Sequence, residues 1–206
     1  MLIIGDAHIP RRAKEISPQI IDKLTQTSTD KLFEYTFFTG DLVNAEEFIQ
    51  FLKLRTKKDV FVVIGNMDYY EGNRNLPTYQ KLEYSLNKDN YLLIGLTHGH
   101  QISPRGDHSQ LELLAVENGY NILISGHTHK EEIFLTKDGV LLLNPGSITG
   151  AWSFISSGIP SFMVLSISKE DQGIIVELFQ FNIKESKFIE SKFHFIFKNQ
   201  KITRKF

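Results

Sequence analysis

Short apolar runs recur along the first half of the chain, and each is followed directly by small or polar residues. The runs are rich in β-branched or aromatic residues and have the length of buried strands. They occupy positions 2–4, 35–38, 60–64, 91–96 and 121–124. Because almost every position within a run is apolar, the strands are predicted to be covered on both faces.

Helix signals separate several of these predicted strands. Ser17 followed by Pro18 is typical of a helix start. Asn44, which precedes two glutamates, resembles a capping box in which Asn replaces Ser or Thr. Asp107 begins a third predicted helix, and Gly119 is its stop signal. The first half of the chain is therefore predicted to alternate between strand and helix.

Strand patterns dominate the second half. Positions 80–86 alternate between apolar and polar residues and predict a strand that turns at 87–90 into the strand at 91–96, as a β-hairpin. Further strands are predicted at 133–136, 140–143, 161–167 and 173–181. These patterns together predict an α/β fold in which two β-sheets pack against each other and helices lie outside.

The predicted domain organisation is simple. Residues 1–183 are predicted to form one domain, and residues 184–206 a C-terminal edge strand followed by a basic tail. The edge strand is predicted from Phe188, Phe193, Phe195 and Phe197. The basic tail begins at Lys198 and is predicted to be solvated, as chain ends often are.

Composition narrows the classes of protein. Of the 206 residues 41% are hydrophobic and the formal net charge is -1, which argues against a general nucleic-acid-binding protein. The chain has no cysteine, so thiolate metal sites and cysteine nucleophiles are excluded. No apolar run is long enough for a signal peptide or a membrane span, so a cytoplasmic protein without membrane insertion is expected.

Metal-ligating side chains follow five of the predicted strands. The ligands are Asp6 and His8, Asp41, Asn66, His98, and His127 and His129. Ligand sites in open sheets gather at the carboxyl ends of parallel strands, so these side chains are predicted to share one crevice. Carboxylate, amide and imidazole ligands suit two divalent ions such as zinc or manganese. Such ion pairs serve in-line attack on phosphorus.

The order and spacing of these ligands resemble the calcineurin-like metallophosphoesterase superfamily over about residues 1–181. The resemblance implies a sandwich of two mixed β-sheets flanked by helices (αββα). It also implies the distribution of the ligands. One ion would be held by Asp6, His8 and His129, the other by Asn66, His98 and His127, and Asp41 would bridge them.

A more specific resemblance, to the family of retromer small subunits, rests on motifs outside the ligands. These motifs are at 5–12, 98–101, 122–130, 144–151 and 159–162. The resemblance implies a helical-repeat large subunit as partner and a peripheral location on endosomal-type membranes. Large apolar residues beside the crevice are the candidate partner contacts, namely Ile102, Trp152 and Phe154. Trp152 and Phe154 could equally fold back onto the core.

One position departs from the superfamily pattern. Active members usually carry a His after the Gly-Asn pair, whereas here the position is Met67, which has no proton to give. His100 is a candidate stand-in acid, or a loop histidine with a structural hydrogen bond. The function expected from these patterns is a scaffold subunit for endosomal sorting, with an intact metal site and weak or no catalysis. The alternative is a metal-dependent phosphodiesterase acting on small diesters.

Overall fold

Two β-sheets packed face to face form the centre of the computed structural model, which describes residues 1–88 and 90–205. The helices are α1 (Pro18–Thr29), α2 (Glu46–Leu54), α3 (Asn66–Tyr70) and α4 (His108–Asn118). The first six strands are β1 (Leu2–Ile4), β2 (Thr36–Phe38), β3 (Val60–Val62), β4 (Tyr79–Ser85), β5 (Tyr91–Thr97) and β6 (Ile122–Ile124). The others are β7 (Glu131–Leu135), β8 (Leu141–Pro145), β9 (Ser161–Ile167), β10 (Gly173–Asn182), β11 (Lys187–Lys198) and β12 (Lys201–Arg204).

Both sheets are mixed. The seven-stranded sheet has the order β12-β11-β10-β9-β1-β2-β3, with parallel pairing among β1, β2 and β3 and antiparallel pairing elsewhere. The five-stranded sheet has the order β4-β5-β6-β8-β7, with β5, β6 and β8 parallel. The parallel strands of each sheet end beside the predicted ligand loops. The predicted αββα sandwich is therefore confirmed.

Alternation of side chains along β1 explains the layers, since successive residues of a strand face opposite sides. Ile3 packs in the apolar cluster between the sheets, together with Ile94 and Ile122 of the other sheet. Leu2 and Ile4 face the opposite way and pack against helix residues. The layer beneath α1 and α2 includes Ile20, Leu24, Phe48 and Leu52.

Helix α4 covers the outer face of the five-stranded sheet. Leu111 and Ala115 of α4 pack against Leu123 and Leu142. The Asp107 side chain accepts a 2.9 Å hydrogen bond from the backbone N–H of Gln110, and so caps the helix as predicted. Gly119 ends it at a φ of 70°, where a Cβ would be strained.

Helix α2 begins differently from the prediction. Ala45, and not Asn44, precedes its first turn, and no side chain caps it there. The acidic first turn of Glu46 and Glu47 instead matches the positive end of the helix dipole. The predicted β-hairpin is present as β4 and β5, although Asp89 of its predicted 87–90 turn lies outside the described residues.

The predicted solvated tail after Lys198 is wrong for residues 201–204. These residues form β12, which pairs with β11 with Phe197 opposite Ile202. Ile202 lies in the apolar cluster between the sheets, and burial of its side chain explains why the tail is ordered despite its many cations. The edge strand predicted from the phenylalanines, β11, thus lies between β10 and β12. Phe206 lies outside the described residues, and among the described ones no helix has the length and apolarity to cross a bilayer.

Candidate metal centre

Backbone hydrogen bonds bring the ligand loops together at the carboxyl ends of the strands. The N–H of Asp6 donates to Gly40 O over 2.9 Å, and the N–H of His8 donates to Asp41 O over 2.9 Å. The N–H of Gly126 donates to His98 O over 2.9 Å and joins the loops of the five-stranded sheet. One crevice therefore receives side chains from both sheets.

The backbone at the site is strained. Five of the predicted ligands adopt a positive φ, which non-glycine residues rarely do, namely Asp6 (53°), His8 (51°), Asp41 (55°), His127 (68°) and His129 (58°). Such conformations cost of order 1–3 kcal/mol each and persist where the surrounding structure enforces them. Their concentration in these loops indicates a functional site, because the fold alone does not require them.

Four of the predicted ligands form a tight buried group. The ligand atoms of Asp6, His8, Asp41 and His129 all lie within 4.8 Å of one another. His8 Nε2 is 3.3 Å from Asp41 Oδ2, and His129 Nε2 is 3.3 Å from Asp6 Oδ1. The two imidazole Nε2 atoms face each other at 2.9 Å. Two carboxylates and two imidazoles around one point are a donor set that fits a divalent cation.

The remaining predicted ligands adjoin this group through Asp41. His98 Nε2 lies 3.5 Å from Asp41 Oδ2 and 3.2 Å from Asn66 Oδ1. The His127 ring is 5.0 Å from the His98 ring. Oδ2 of Asp41 is thus close to an imidazole of each group. All seven side chains predicted as ligands therefore lie in one crevice, where Asn66, His98 and His127 adjoin the tight group of Asp6, His8, Asp41 and His129.

Hydrogen bonds to backbone carbonyls fix two of the histidine rings. His98 Nδ1 lies 2.8 Å from Thr39 O, and His129 Nδ1 lies 2.9 Å from Ala151 O. Because a carbonyl can only accept, each Nδ1 must carry a proton, which leaves Nε2 as the atom that can bind a cation in the crevice. This is the usual second contact of metal-binding histidines. His8 Nδ1 is buried without a hydrogen-bond partner in the described part of the chain.

The carboxylates titrate differently in the metal-free protein. Burial alone would raise the pKa of Asp6, but the charge of His129 and its hydrogen bond, with His98, hold that pKa well below its usual range. Burial raises the pKa of Asp41 to about 6, an effect that His98 partly offsets and that the nearby Asp6 reinforces. Both carboxylates are therefore ionised at neutral pH and available to a cation.

Two of the four histidine ligands, His8 and His127, are neutral at pH 7. Burial lowers the pKa of His8 to about 3 and that of His127 to about 3. Burial also acts to lower the pKa of His129, but Asp6 outweighs it and the net shift is upward. A cation beside Asp6 would take the place of that proton. The electrostatics thus fit a bound divalent metal.

A residue outside the predicted set, Asp68, holds two of the loops together. Its buried carboxylate accepts backbone N–H bonds from Asp41 (2.8 Å), Val43 (2.8 Å) and Gly65 (2.9 Å). Asp41 Oδ1 in turn accepts from the N–H of Met67 over 2.7 Å. Asp68 is the third residue of the short helix α3, where a carboxylate caps the N-terminus. Its position two residues after Asn66 was the sequence signal for this role.

The other predicted site residues lie outside the group of ligands. His100 is exposed, with its ring 5.5 Å from that of His98, and partial burial followed by the charge of His98 lowers its pKa. Trp152 and Phe154 are exposed and their rings are 5.0 Å apart. Ile102 is only 8% exposed and packs beneath α4, which removes it from any exposed contact surface. The physical reason is that α4 folds over it.

Comparison with known proteins yields relatives of two kinds. A probable metallophosphoesterase of Methanocaldococcus jannaschii is 38% identical over 147 residues, which cover 71% of this chain and 67% of that protein. The crystal structure of Vps29 from Entamoeba histolytica in complex with Zn²⁺ matches with a TM-score of 0.76 and 31% identity, over 93% of this chain and 97% of that one. Vacuolar Protein Sorting 29 from Cryptosporidium parvum matches with a TM-score of 0.75 and 32% identity, over 93% and 96%.

The family model for the calcineurin-like phosphoesterase superfamily domain matches residues 1–170, which include all seven predicted ligands. The strand order, the crevice and the ligand clusters agree with that match. This chain belongs to the calcineurin-like phosphoesterase superfamily.

Proposed function

We propose that the protein is a metal-dependent phosphodiesterase with two divalent cations, zinc or manganese, as cofactors. The observation that carries the proposal is Asp41 Oδ2, which lies 3.3 Å from His8 Nε2 and 3.5 Å from His98 Nε2. One carboxylate oxygen placed between two sets of imidazoles is the arrangement expected of a bridging ligand. Asp6, His8 and His129 would hold one cation, and Asn66, His98 and His127 the other.

The side chains define what the site can do to a diester. Cations held by these ligands would neutralise charge on a phosphoryl group and activate water as the nucleophile at neutral pH. Thr39 and Asn144 hold the surrounding loops, the former by donating to Asp6 Oδ2 over 3.1 Å and the latter by donating to Gly126 O over 2.9 Å. Asn66 and His127 are partly exposed, so a substrate can reach the crevice from solvent.

The site lacks the usual group that protonates the leaving group. Met67, in the position of the usual acid, cannot donate a proton through its side chain. His100 is the exposed imidazole beside His98 and is the proposed substitute. The enzyme is therefore expected to favour diesters whose leaving group is already a weak base, since these need little acid catalysis.

The phosphodiesterase is placed before the scaffold role, in contrast to the expectation from the sequence, because the site lowers the stability of the fold. Two buried carboxylates among buried histidines destabilise the fold unless a cation compensates them, and their strained loops add to that cost. Bound cations would compensate this cost, and the partly exposed Asn66 and His127 would leave them accessible to a substrate. The scaffold role remains the second candidate, favoured by the likeness to two Vps29 structures at 31% and 32% identity across nearly the whole chain.

In this second role a helical-repeat large subunit would be the partner and endosomal-type membranes the peripheral location. Trp152 and Phe154 would then supply exposed aromatic contacts. A variant whose metal-binding side chains have been substituted would still bind the partner if the protein is a scaffold, since that role does not depend on turnover.

Hydrolysis of bis(p-nitrophenyl) phosphate by the full chain, loaded with Mn²⁺ or Zn²⁺, tests the proposal. Asp41→Asn is expected to lower both the turnover rate and the affinity for metal by more than about 100-fold, because substitution of residues that only support a ligand already lowers them by up to about 100-fold. Asp138→Asn is the matched control, because it makes the same chemical change at a residue in an exposed turn. A fully metal-loaded wild-type chain that hydrolyses no diester would leave only the scaffold role.

A further inference from the structure

The connection between β8 and β9 crosses from the five-stranded sheet to the seven-stranded sheet. β8 ends at Pro145, and β9 begins at Ser161 in the other sheet. Ser147, near the start of this connection, is fully buried although its side chain is polar. Burial of a hydroxyl costs stability unless the group is hydrogen-bonded, so the partners of Ser147 indicate what it does.

Residues 147–149 bind three consecutive backbone carbonyls of the loop that carries the first ligands. The three hydrogen bonds run from the Ile148 N–H to Gly5 O (3.0 Å), from Ser147 Oγ to Asp6 O (2.7 Å) and from Thr149 Oγ1 to Ala7 O (3.0 Å). Because a carbonyl can only accept, the Ser147 hydroxyl gives its single proton to Asp6 O. Asp6 has a φ of 53°, and this bond is one of the contacts that hold it in that strained conformation.

The same hydroxyl oxygen is connected to a second ligand. Ser147 Oγ accepts a hydrogen bond from the Ala151 N–H over 2.9 Å. The carbonyl of Ala151 in turn holds Nδ1 of the His129 ring over 2.9 Å. Asp6 and His129 face each other in the crevice, with Asp6 Oδ1 3.3 Å from His129 Nε2. One oxygen atom of Ser147 therefore links the backbone of one ligand to the ring of another.

The two linked ligands belong to different sheets. Asp6 follows β1 of the seven-stranded sheet, whereas His129 follows β6 of the five-stranded sheet. Their separation therefore depends on how the sheets are placed relative to each other, which contacts within either loop cannot determine. The chain of hydrogen bonds through Ser147 spans both loops and does constrain it. This matters for a cation, because metal–ligand distances vary by only about 0.2 Å.

We propose that Ser147 is a positioning residue that sets the separation of Asp6 and His129 for the cation that these two ligands would share. The inference rests on the metal centre of the proposed function and does not depend on hydrolysis of a diester. Ser147 acts through the Asp6 carbonyl and through Ala151, and is not itself a ligand. Substitution of residues that support ligands lowers metal affinity by about 10- to 100-fold, which sets the size of the expected effect.

Binding of Co²⁺ to the full chain tests the inference, because the visible absorption of this ion depends on the number and arrangement of its ligands. Ser147→Ala removes the hydroxyl that the Asp6 carbonyl and the Ala151 N–H share. The affinity for Co²⁺ is expected to fall by about 10- to 100-fold, and the absorption bands of the bound ion should change in position or intensity. An unchanged affinity and spectrum in a folded Ser147→Ala variant would overturn the inference.

Ser161→Ala makes the same change at another buried serine and serves as the control. Ser161 is also fully buried, and its hydroxyl donates over 2.7 Å to Pro145 O, which lies outside the ligand loops. Urea titration should show a lower free energy of unfolding for both variants, because each loses a buried hydrogen bond. Only Ser147→Ala should alter Co²⁺ binding. An equal change in Co²⁺ binding by both variants would overturn the positioning role, since loss of any buried hydroxyl would then suffice.

Thr149→Val decides the question if Ser147→Ala does not fold. This change keeps the shape of a partly exposed side chain and removes a hydroxyl that bonds Ala7 O and lies 3.2 Å from Ser147 Oγ. The affinity for Co²⁺ is expected to fall by about 10-fold, the lower end of the range for supporting residues. Unchanged Co²⁺ binding would overturn the inference.

Hydrolysis of bis(p-nitrophenyl) phosphate, measured on the same preparations, separates this inference from the proposed function. A wild-type chain that binds Co²⁺ with a spectrum sensitive to Ser147→Ala, but hydrolyses no diester, would refute the phosphodiesterase and retain the positioning role. A wild-type chain that hydrolyses the diester, with a Co²⁺ spectrum insensitive to Ser147→Ala, would retain the phosphodiesterase and refute the positioning role. A wild-type chain that binds no Co²⁺ would overturn both.

Discussion

Replacement of Asp68 by Asn tests whether one carboxylate positions the two central ligand loops. Oδ2 of Asp68 accepts from the N–H groups of Asp41 and Gly65, and Oδ1 accepts from that of Val43. An amide of the same shape has only one oxygen. In its better orientation it keeps the two bonds at Oδ2 and turns an NH₂ group towards the Val43 N–H, so that two donors face each other.

The magnitude follows from these contacts. Hydrogen bonds to a charged group contribute about 1.5–3 kcal/mol each, and a buried unsatisfied donor costs about 1–3 kcal/mol. Loss of one such bond, with weakening of the two that remain, predicts a fall of roughly 3 kcal/mol in the free energy of unfolding. Displacement of the Asp41 loop should also weaken metal binding by about 10- to 100-fold, as for other residues that support ligands.

Urea unfolding followed by circular dichroism and titration with Zn²⁺ measure the two effects on the same preparation. Asp138→Asn makes the same chemical change at an exposed turn and should alter neither quantity. A loss of less than about 0.5 kcal/mol in Asp68→Asn, the size of an ordinary surface substitution, together with unchanged zinc affinity, would refute the reasoning.

Three other predictions concern the same crevice. Met67→His should accelerate hydrolysis of diesters with alkoxide leaving groups by up to about 100-fold, because the new imidazole can protonate the leaving group. Hydrolysis of nitrophenolate esters should be nearly unchanged in steady-state kinetics. Equal gains for both kinds of ester would contradict the acid role. Gly65→Ala places a Cβ 1.9 Å from Asp41 Oδ1, so bound zinc, counted by elemental analysis, should be lost, and retention of full zinc content would argue against a rigid contact. In metal-free protein the pKa values of His8 and His127 are about 3, so from pH 6.5 down to 3 the unfolded chain binds more protons. The free energy of unfolding should therefore fall on acidification. Asp41, whose pKa is about 6 in the folded state, contributes a smaller effect of opposite sign. Urea titrations at pH 7 and pH 5 measure the sign of the change.

The apolar pattern was sufficient to predict most of the fold. β1, β2 and β6 are short and almost continuous in apolar character, and their burial on both faces followed from that alone. β3 was predicted to be covered in the same way, but it is the edge strand of its sheet and is only half-buried. The ligands could be predicted because each directly follows a strand. Their convergence depends on β5 and β6 lying in a second sheet that packs against the first, which is a tertiary property.

The misses have local physical causes. β12 is rich in cations, yet its one apolar side chain, Ile202, enters the core, and a single buried residue is too weak a pattern to detect. Ile102 has the hydrophobicity of a contact residue, and only the path of α4 over it determines that it is buried. The capping position of Asp68 in α3 could be read from the sequence, but its contacts with the N–H groups of Asp41 and Val43, which belong to another loop, could not.

The position of Asp41 has a thermodynamic consequence. Because the same oxygen faces both ligand clusters, two cations cannot occupy the crevice as independent events. Each ion must change the affinity for the other by the same factor, as reciprocal linkage requires. In the proposed two-cation site the doubly loaded state depends on the product of two metal activities. The fraction of catalytically competent protein should therefore change more steeply with metal supply, at low loading, than in a protein with a single site.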